Sequence, residues 1–515
     1  MQHKIEIMNR ITFIVALTII LVSCKNEKVE NKLQHNNYLQ ISKNRTAAEW
    51  EPAKGVFFVW PPVIPKELII EFANDTHIYP FVDGEAKQIE AEGWFEKWGI
   101  DLTNVTFINL KTEYENTPRD WAPSAVFTKN GKYKITDGQY MHGCPSTDLA
   151  CNDSLEFHKT KSGQIYRSPV DTAIAPIANQ LGLEVLDIPF ANTGGNVLTD
   201  GIGTAFSTCV ILTENRYNGI SDQEFFNLND SLLGFTRYNI ISNFDKIGIQ
   251  HIDCLLKLVD EETILVAQPP EDHELFNIYE NIVKNELSKL RTAYGSPYII
   301  KRIKIGRYYE EDLTAYLSAY TNSIILNKNV YVPLFDIKED SLALKTWESV
   351  MPGYTIKGFS YILDEQPFVS EFHFEGFDEL GVKTGWLYED AVHCRTKAFW
   401  DEDMIFISVK KVLSETPINQ ETYIHATIID YSGEGLSTND IFLNWRIKGK
   451  TKWSAIKMSM DNNPNHWIAS IPQHENETAI EYYVEAKSNS GKTQRRPITA
   501  PEGYYEFKYV AQQQI

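Results

Sequence analysis

The stretch 391-AVHCRT-396 sets a cysteine between a histidine and an arginine, in a chain of 515 residues that uses cysteine six times. A structural cysteine favours apolar neighbours. A reactive one is served by nearby cations, because positive charge favours the thiolate and the thiolate is the nucleophile. On this stretch alone Cys394 reads equally as a core cysteine or a nucleophile, and the choice depends on partners elsewhere in the chain.

Candidate partners lie at four places. In 251-HIDCLLKLV-259, read as an extended strand, His251 and Asp253 share a face. They offer an acid/base with a charge partner, or two ligands of an incomplete metal site. In 116-NTPRDWAP-123 the Arg119-Asp120 pair stands in a loop stiffened by Pro118 and Pro123. In 192-NTGGNVLTDGIGTAFST-208, Gly194 and Gly195 permit close backbone approach, while the pattern of a nucleotide-binding loop is missing. In 317-LSAYTNSIILNKNVYVP-333, Asn322 stands where a helix is expected to give way to a strand.

Around these segments, short apolar runs alternate with helix-like stretches. The runs include 55-GVFFVW-60, 105-VTFINL-110, 185-VLDIPF-190, 205-AFSTCVIL-212, 263-TILVAQ-268 and 404-MIFISV-409; helices are expected near 84–99, 170–182, 272–290 and 312–320. Such alternation predicts α/β architecture. The spacing is irregular, and no internal repeat is visible in it. Beyond residue 412 the helical stretches stop, and runs such as 443-LNWRI-447, 466-HWIASI-471 and 479-AIEYYVEAK-487 predict a small β-sandwich of immunoglobulin type. The expected organisation is therefore 1–23 signal peptide, 24–45 tether, 46–412 catalytic domain and 413–515 sandwich.

At the N-terminus Lys4 and Arg10 precede the apolar run 11-ITFIVALTIILV-22, which is short for a membrane span and reads as a signal-peptide core. Leu21-Val22-Ser23-Cys24 resembles a bacterial lipobox, making Cys24 the expected lipidated residue, with a polar tether behind it. Lys25 and Glu27 resemble export tags of surface lipoproteins. The expected location is the outer membrane or cell surface, with the membrane touched only through the lipid anchor. Export leaves Cys144, Cys151, Cys209, Cys254 and Cys394, an odd number, so at least one thiol stays free in an oxidising compartment. Cys144 and Cys151 are the expected disulfide. The alternative is a zinc site of His142, Cys144, Cys151 and His158, whose spacing matches no common finger. A net charge of -20 argues against nucleic acid as a partner and suits a cationic substrate.

Taken in order, Glu49-Trp50-Glu51-Pro52 leading to 55-GVFFVWP-61, Arg119-Asp120, Gly194-Gly195-Asn196, His251-Ile252-Asp253, 320-YTNSIILN-327 and His393-Cys394 make the chain resemble the bacterial peptidylarginine deiminase and agmatine deiminase family over about residues 46 to 410. The resemblance implies a pentein fold, a five-module α/β propeller with its active site in a central funnel. It also implies hydrolysis of a guanidinium to a ureido group and ammonia, without metal or organic cofactor. Carried over, Cys394 is the nucleophile, His251 the acid/base, and Asp120 and Asp253 the guanidinium clamps. Asn322, Gly194, Gly195 and Asn196 line the pocket. His393 and Arg395 receive no catalytic step.

The expected partners are arginine-containing peptides or proteins, or small guanidino compounds. Thr193 stands where the agmatine enzymes carry an acidic residue before the glycines, and 388-YEDAV-392 replaces their glycine run before His-Cys. Both departures, with export and the added domain, favour peptidylarginine. Against a C-terminal arginine preference, no arginine lies between Asp120 and Arg167 to hold a substrate carboxylate. The competing readings are a small-guanidine deiminase and a catalytically silent exported binding protein. All four expected catalytic residues are present.

Overall fold

The computed structural model describes residues 41–111, 114–140, 143–144, 156–157, 169–245, 249–308, 316–361, 385–386, 390–412, 415–461 and 463–511. The signal peptide, Cys24 and the tether up to residue 40 lie outside them, as do Cys151 and the side chain of Cys144. Among the described residues, the strands between Arg45 and Trp400 form five sheets of three or four strands, besides a two-stranded pairing of Gly143–Cys144 with Glu156–Phe157. Each of the five repeats one device: an antiparallel pair whose second strand also pairs in parallel with the strand reached through a helical crossover. Ile324–Leu326 pairs antiparallel with Asn329–Leu334, which pairs parallel with Thr355–Ser360 after the helix Asp340–Val350. Leu256–Asp260, Thr263–Gln268 and Ile299–Lys304 do the same around the helix Phe276–Asn285. The repeat that the spacing hides is thus present in the topology.

Chain ends close the arrangement. Lys397–Trp400 pairs antiparallel with Ala53–Val59, bringing the segment after Cys394 back against the first long strand. That strand shows why its run is unbroken. Val56 and Phe58 face the main core, while Phe57 and Val59 face a second core with Phe81, Trp121 and Phe399. A strand covered on both faces reads as continuous hydrophobicity rather than as alternation.

Three expectations are corrected. The run 205–212 is a strand, Thr204–Thr208, followed by a helix, Val210–Tyr217; its apolar character spans both because both are buried. The helix expected over 312–320 does not form in its described part: Leu317 bridges Arg307, and residues 320–322 make a turn. The run 404–409, expected within the catalytic region, instead contributes Ile405–Val409, which pairs antiparallel with Thr422–Asp430 in the C-terminal part. Ile405, Ile407 and Val409 fill the core of that part, while Met404 packs in the main one.

The C-terminal part holds a four-stranded sheet, Ile405–Val409, Thr422–Asp430, His466–Ile471 and Ser459–Met460. A six-stranded sheet is centred on Leu436–Ile447 and Thr478–Ser488. One core of Ile424, Ile428, Leu443, Trp467, Tyr482 and Phe507 serves both. Polar contacts join it to the preceding sheets: Arg496 Nη2 meets Glu261 Oε2 at 2.5 Å with both side chains buried, and Lys492 meets Asp401 at 2.6 Å. Among the described residues no helix is long and apolar enough to cross a membrane.

Candidate active site

Four one-turn segments, each at the end of a sheet element, deliver the polar side chains. The first is the helix Pro118–Trp121, with Pro118 in its first turn, where the missing N–H costs no helix bond. It is pinned to the cysteine segment: Arg119 N donates to the Cys394 carbonyl at 3.0 Å, and Arg119 Nε to the His393 carbonyl at 3.0 Å. The second is the 3-10 turn Gly194–Asn196. Gly195 N donates to Asp120 Oδ1 at 3.0 Å. A Cβ on Gly195 would stand 2.6 Å from Asp120 Oδ1, 2.8 Å from His251 Nδ1 and 3.4 Å from Asp253 Oδ2. The bare glycine is therefore where three of the expected catalytic groups meet.

His251 and Asp253 reach that point differently from expectation. They do not lie on a strand. His251 is the extended residue before a single helical turn, Ile252–Leu255, that carries Asp253, and the preceding Gln250 has a φ of 57°. The turn is held by polar contacts from afar, which no local periodicity encodes. Asn196 Oδ1 accepts from Ile252 N at 3.1 Å and from Thr208 N at 2.9 Å, and Gln250 Oε1 accepts from Phe244 N and Asp245 N. Asn196, expected in the pocket, thus commits its side-chain oxygen to bracing the His251 segment.

The fourth segment is the loop around Cys394, which is 1% exposed. Asn322 organises it: its Oδ1 accepts from the N–H groups of Ala391, His393 and Cys394 at 3.1, 3.0 and 3.2 Å, and its Nδ2 donates to Cys394 Sγ at 3.1 Å. Asp253 Oδ2 lies 3.7 Å from the same sulfur, and His251 Nδ1 lies 3.5 Å from Asp120 Oδ1. Cys394, His251, Asp253, Asp120, Asn322 and Gly195 are brought together. The Gly194 Cβ position is filled by the Arg119 carbonyl, so that glycine serves packing.

The flanking cations do not serve the sulfur. His393 turns away to Asp253 and Glu49, and Arg395 is spent on Asp390 at 2.9 Å twice and on the Val63 carbonyl at 2.8 Å. A hydrogen bond from Cys254 lowers the Cys394 pKa, yet burial and the Asp253, Asp390 and Asp120 charges outweigh it and push the thiol up to about 12. Burial raises Asp120, with Asp253 adding to the effect. Burial also acts to raise Asp253, but His393, His251 and Lys257 together hold it below the usual carboxylate range. Burial and the neighbouring carboxylates thus favour the protonated thiol at Cys394.

Several buried groups at the site escaped the sequence reading. Glu49, from the Glu49-Trp50-Glu51-Pro52 motif, accepts from Lys257 at 2.8 Å and from Ile325 N at 2.8 Å. Glu214 lies buried behind Thr193, whose hydroxyl donates to it at 3.3 Å, and burial pushes it up to about 8. Lys397 donates to the Arg119 carbonyl at 3.3 Å and is driven down by burial to about 7. Charged residues inside otherwise apolar segments, as in 256-LKLV-259, were the available signal. Among the described residues no His, Cys, Asp or Glu group could hold a metal; the His142, Cys144, Cys151 and His158 alternative lies outside them. Cys209 is disulfide-bonded, whereas Cys254 and Cys394 are free.

The family model of the Porphyromonas-type peptidyl-arginine deiminases matches residues 45–362, more than half of the chain. The chain belongs to that family. Its members are hydrolases acting on C–N bonds of amidines, and the free Cys394 lies among the residues the resemblance singled out. A Mycoplasma mycoides protein carried under the name of an agmatine deiminase is 24% identical over 285 residues, covering 49% of this chain and 71% of that one. A Porphyromonas gingivalis structure named for arginine deiminase superposes with a TM-score of 0.51 at 18% identity, over 70% of this chain and 98% of that one. An agmatine deiminase of C. jejuni with substrate bound gives 0.50 at 16% identity, over 71% and 99%. At such identities the structural likenesses establish the α/β fold.

Proposed function

We propose that the protein is a peptidylarginine deiminase, converting the arginine guanidinium to the ureido group of citrulline with release of ammonia. The observation that carries this reading is the convergence of Asp120, Asp253 and His251 at the Cβ-less position of Gly195, with the Cys394 sulfur 3.7 Å from Asp253 Oδ2. A guanidinium is planar, permanently charged and forked in its donors, and carboxylates accept it two N–H groups at a time. Asp120 and Asp253 would fix that plane with its carbon above Cys394 Sγ.

Electrostatics supports an order of events. A cation at ~4 Å contributes about 4 kcal/mol at a near-surface effective dielectric, enough to lower a thiol pKa by about three. Substrate entry would thus bring Cys394 from about 12 toward a range in which His251 can take its proton. The thiolate adds to the guanidinium carbon. His251 returns the proton to the departing ammonia, leaving a thiouronium, and then activates water to release the ureido product and the free thiol. Asn322 Nδ2, at 3.1 Å from the sulfur, would donate to the developing thiolate.

Thr193 before the paired glycines supports peptidylarginine over agmatine. A small-guanidine substrate is the second reading, favoured by the agmatine deiminase names of the relatives. The five like sheets support a five-module propeller of pentein type, and the two C-terminal sheets with their common core support an immunoglobulin-like sandwich. The N-terminal run ending at Cys24 supports an exported lipoprotein at the outer membrane.

Ureido product measured colorimetrically tests the activity. Substrates would be a peptide with internal arginine, one with C-terminal arginine, free arginine and agmatine, with Cys394→Ala as control. Turnover of a peptide above the small guanidines, lost in the control, is expected. Preference for agmatine would move the protein to the small-guanidine reading, and silence on all four would leave a binding protein.

A further inference from the structure

His393 does no chemistry in the mechanism above, yet it is 1% exposed and makes two of the shortest polar contacts in the site. Its Nδ1 stands 2.6 Å from Asp253 Oδ2 and its Nε2 stands 2.6 Å from Glu49 Oε2. Glu49 is in turn gripped by Lys257 at 2.8 Å, by Arg119 at 3.8 Å and by the N–H of Ile325 at 2.8 Å. A carboxylate oxygen can only accept, so an imidazole meeting one carboxylate at each nitrogen must donate from both. We propose that Glu49 and His393 form a positioning relay that holds Asp253 ionised and aimed at the substrate guanidinium. Through it, the relay sets how tightly the site grips a cation.

The charges facing the ring agree on the ionised carboxylates. Burial, with Arg119 and Lys257, lowers the His393 pKa against the opposing pull of Glu49 and Asp253. Burial also acts to raise Glu49, but His393, Lys257 and Arg119 outweigh it and hold it well below its ordinary range, and Asp253 is likewise held low. Against that lowering the geometry favours the doubly protonated ring, because two ionised acceptors at 2.6 Å leave a neutral ring one donor short. Without that donor, Asp253, wholly buried, would lie beside Asp120 and Cys394 with no strong hydrogen-bond donor of its own, and a like-charged neighbour would favour its protonation. A protonated Asp253 would lose one arm of the guanidinium clamp. The relay also reaches across the fold, because Glu49 contacts Ile325, Lys257, Arg119 and His393 from four different segments.

This inference rests on the guanidine-deiminase reading, and paired substitutions separate the two. An asparagine amide can take the place of Nδ1 and a glutamine amide that of Nε2. His393→Asn therefore keeps a donor for Asp253 and drops the Glu49 link, whereas His393→Gln keeps the Glu49 link and drops the donor. KM and kcat for an arginine peptide, thermal midpoints, and the alkylation rate of Cys394 by iodoacetamide would be measured on the purified protein. His393→Gln is expected to raise KM by about thirtyfold, the effect of losing one charge-assisted hydrogen bond. His393→Asn should raise it several-fold, and both should keep an alkylatable Cys394. Equal KM values in the two variants, with changes only in thermal midpoint, would overturn the relay and leave His393 a packing residue.

Selective 15N labelling of histidine gives a readout independent of turnover. A His393 ring doubly protonated at neutral pH, and no longer so in Glu49→Gln, is expected. A neutral ring in the wild-type protein would overturn the relay. A wild-type protein that hydrolyses no guanidine would instead count against the deiminase reading.

Discussion

The Asn322 amide donates to the Cys394 sulfur at 3.1 Å while its oxygen gathers three backbone N–H groups of the loop that carries that cysteine. One side chain therefore fixes the loop and supplies a donor that strengthens as the sulfur becomes negative. Asn322→Ala should lower kcat by about a hundredfold or more and cost about 1–3 kcal/mol in denaturant unfolding, because the loop N–H groups lose their acceptor. Asn322→Asp should retain the acceptor and most of the stability, yet be slower still, since it sets a carboxylate against a thiol that must ionise. An Asn322→Asp variant as active as wild type would refute the donor role.

Gly195 is required by space and not by backbone angle. Its Cβ would intrude to 2.6 Å from Asp120 Oδ1 and 2.8 Å from His251 Nδ1. Gly195→Ala is expected to fold, because the atoms that must move are side-chain termini, but to lose activity by about a hundredfold through displacement of groups that need alignment. Circular dichroism paired with the ureido assay decides the matter; unchanged kcat would mean that the three groups do not act at this point.

Glu214 should make stability depend on pH. Its folded value of about 8 lies above the ordinary 4.5, so the native state holds a proton that the unfolded chain releases between those values. The native state is therefore favoured below about 4.5 and loses that advantage as pH rises through about 8, up to ~5 kcal/mol by linkage. Asp200, pushed up by burial to about 6, acts in the same direction at lower pH. Thermal midpoints of wild type and Glu214→Gln measured from pH 5 to 9 should diverge as pH rises, with the glutamine variant the more stable at the alkaline end. Parallel profiles would contradict a buried carboxyl there that is held by the Thr193 hydroxyl.

Arg496 and Glu261 join the C-terminal part to the catalytic sheets as a buried pair at 2.5 Å. Removing one partner leaves a desolvated charge, so Arg496→Met should destabilise by about 3–5 kcal/mol, and adding Glu261→Gln should recover part of the loss. Calorimetry of the single and double variants measures the coupling. A double variant no more stable than the single one would show that the pair is not what joins the two parts.

The sequence carried much of the α/β class and the ordered motifs that point to a guanidine deiminase, because both depend on short-range facts. Strand Thr263–Gln268 and helix Gly84–Lys97 stand where their apolar runs and helix-forming stretches put them. The roles of Cys394, His251, Asp253 and Asp120 follow from the family resemblance that their ordered motifs carry. Their convergence could not be read there, because it is made by contacts such as Asn196 to Ile252 and Arg119 to His393, across 56 and 274 residues. The electrostatics reversed a local inference. His393 and Arg395 flank Cys394 in the chain, but their charges go to Glu49, Asp253 and Asp390 and leave the thiol protonated. Neighbours in sequence set which charges are near; only packing decides which carboxylate each one meets, because burial makes every unpaired charge costly and forces the pairing.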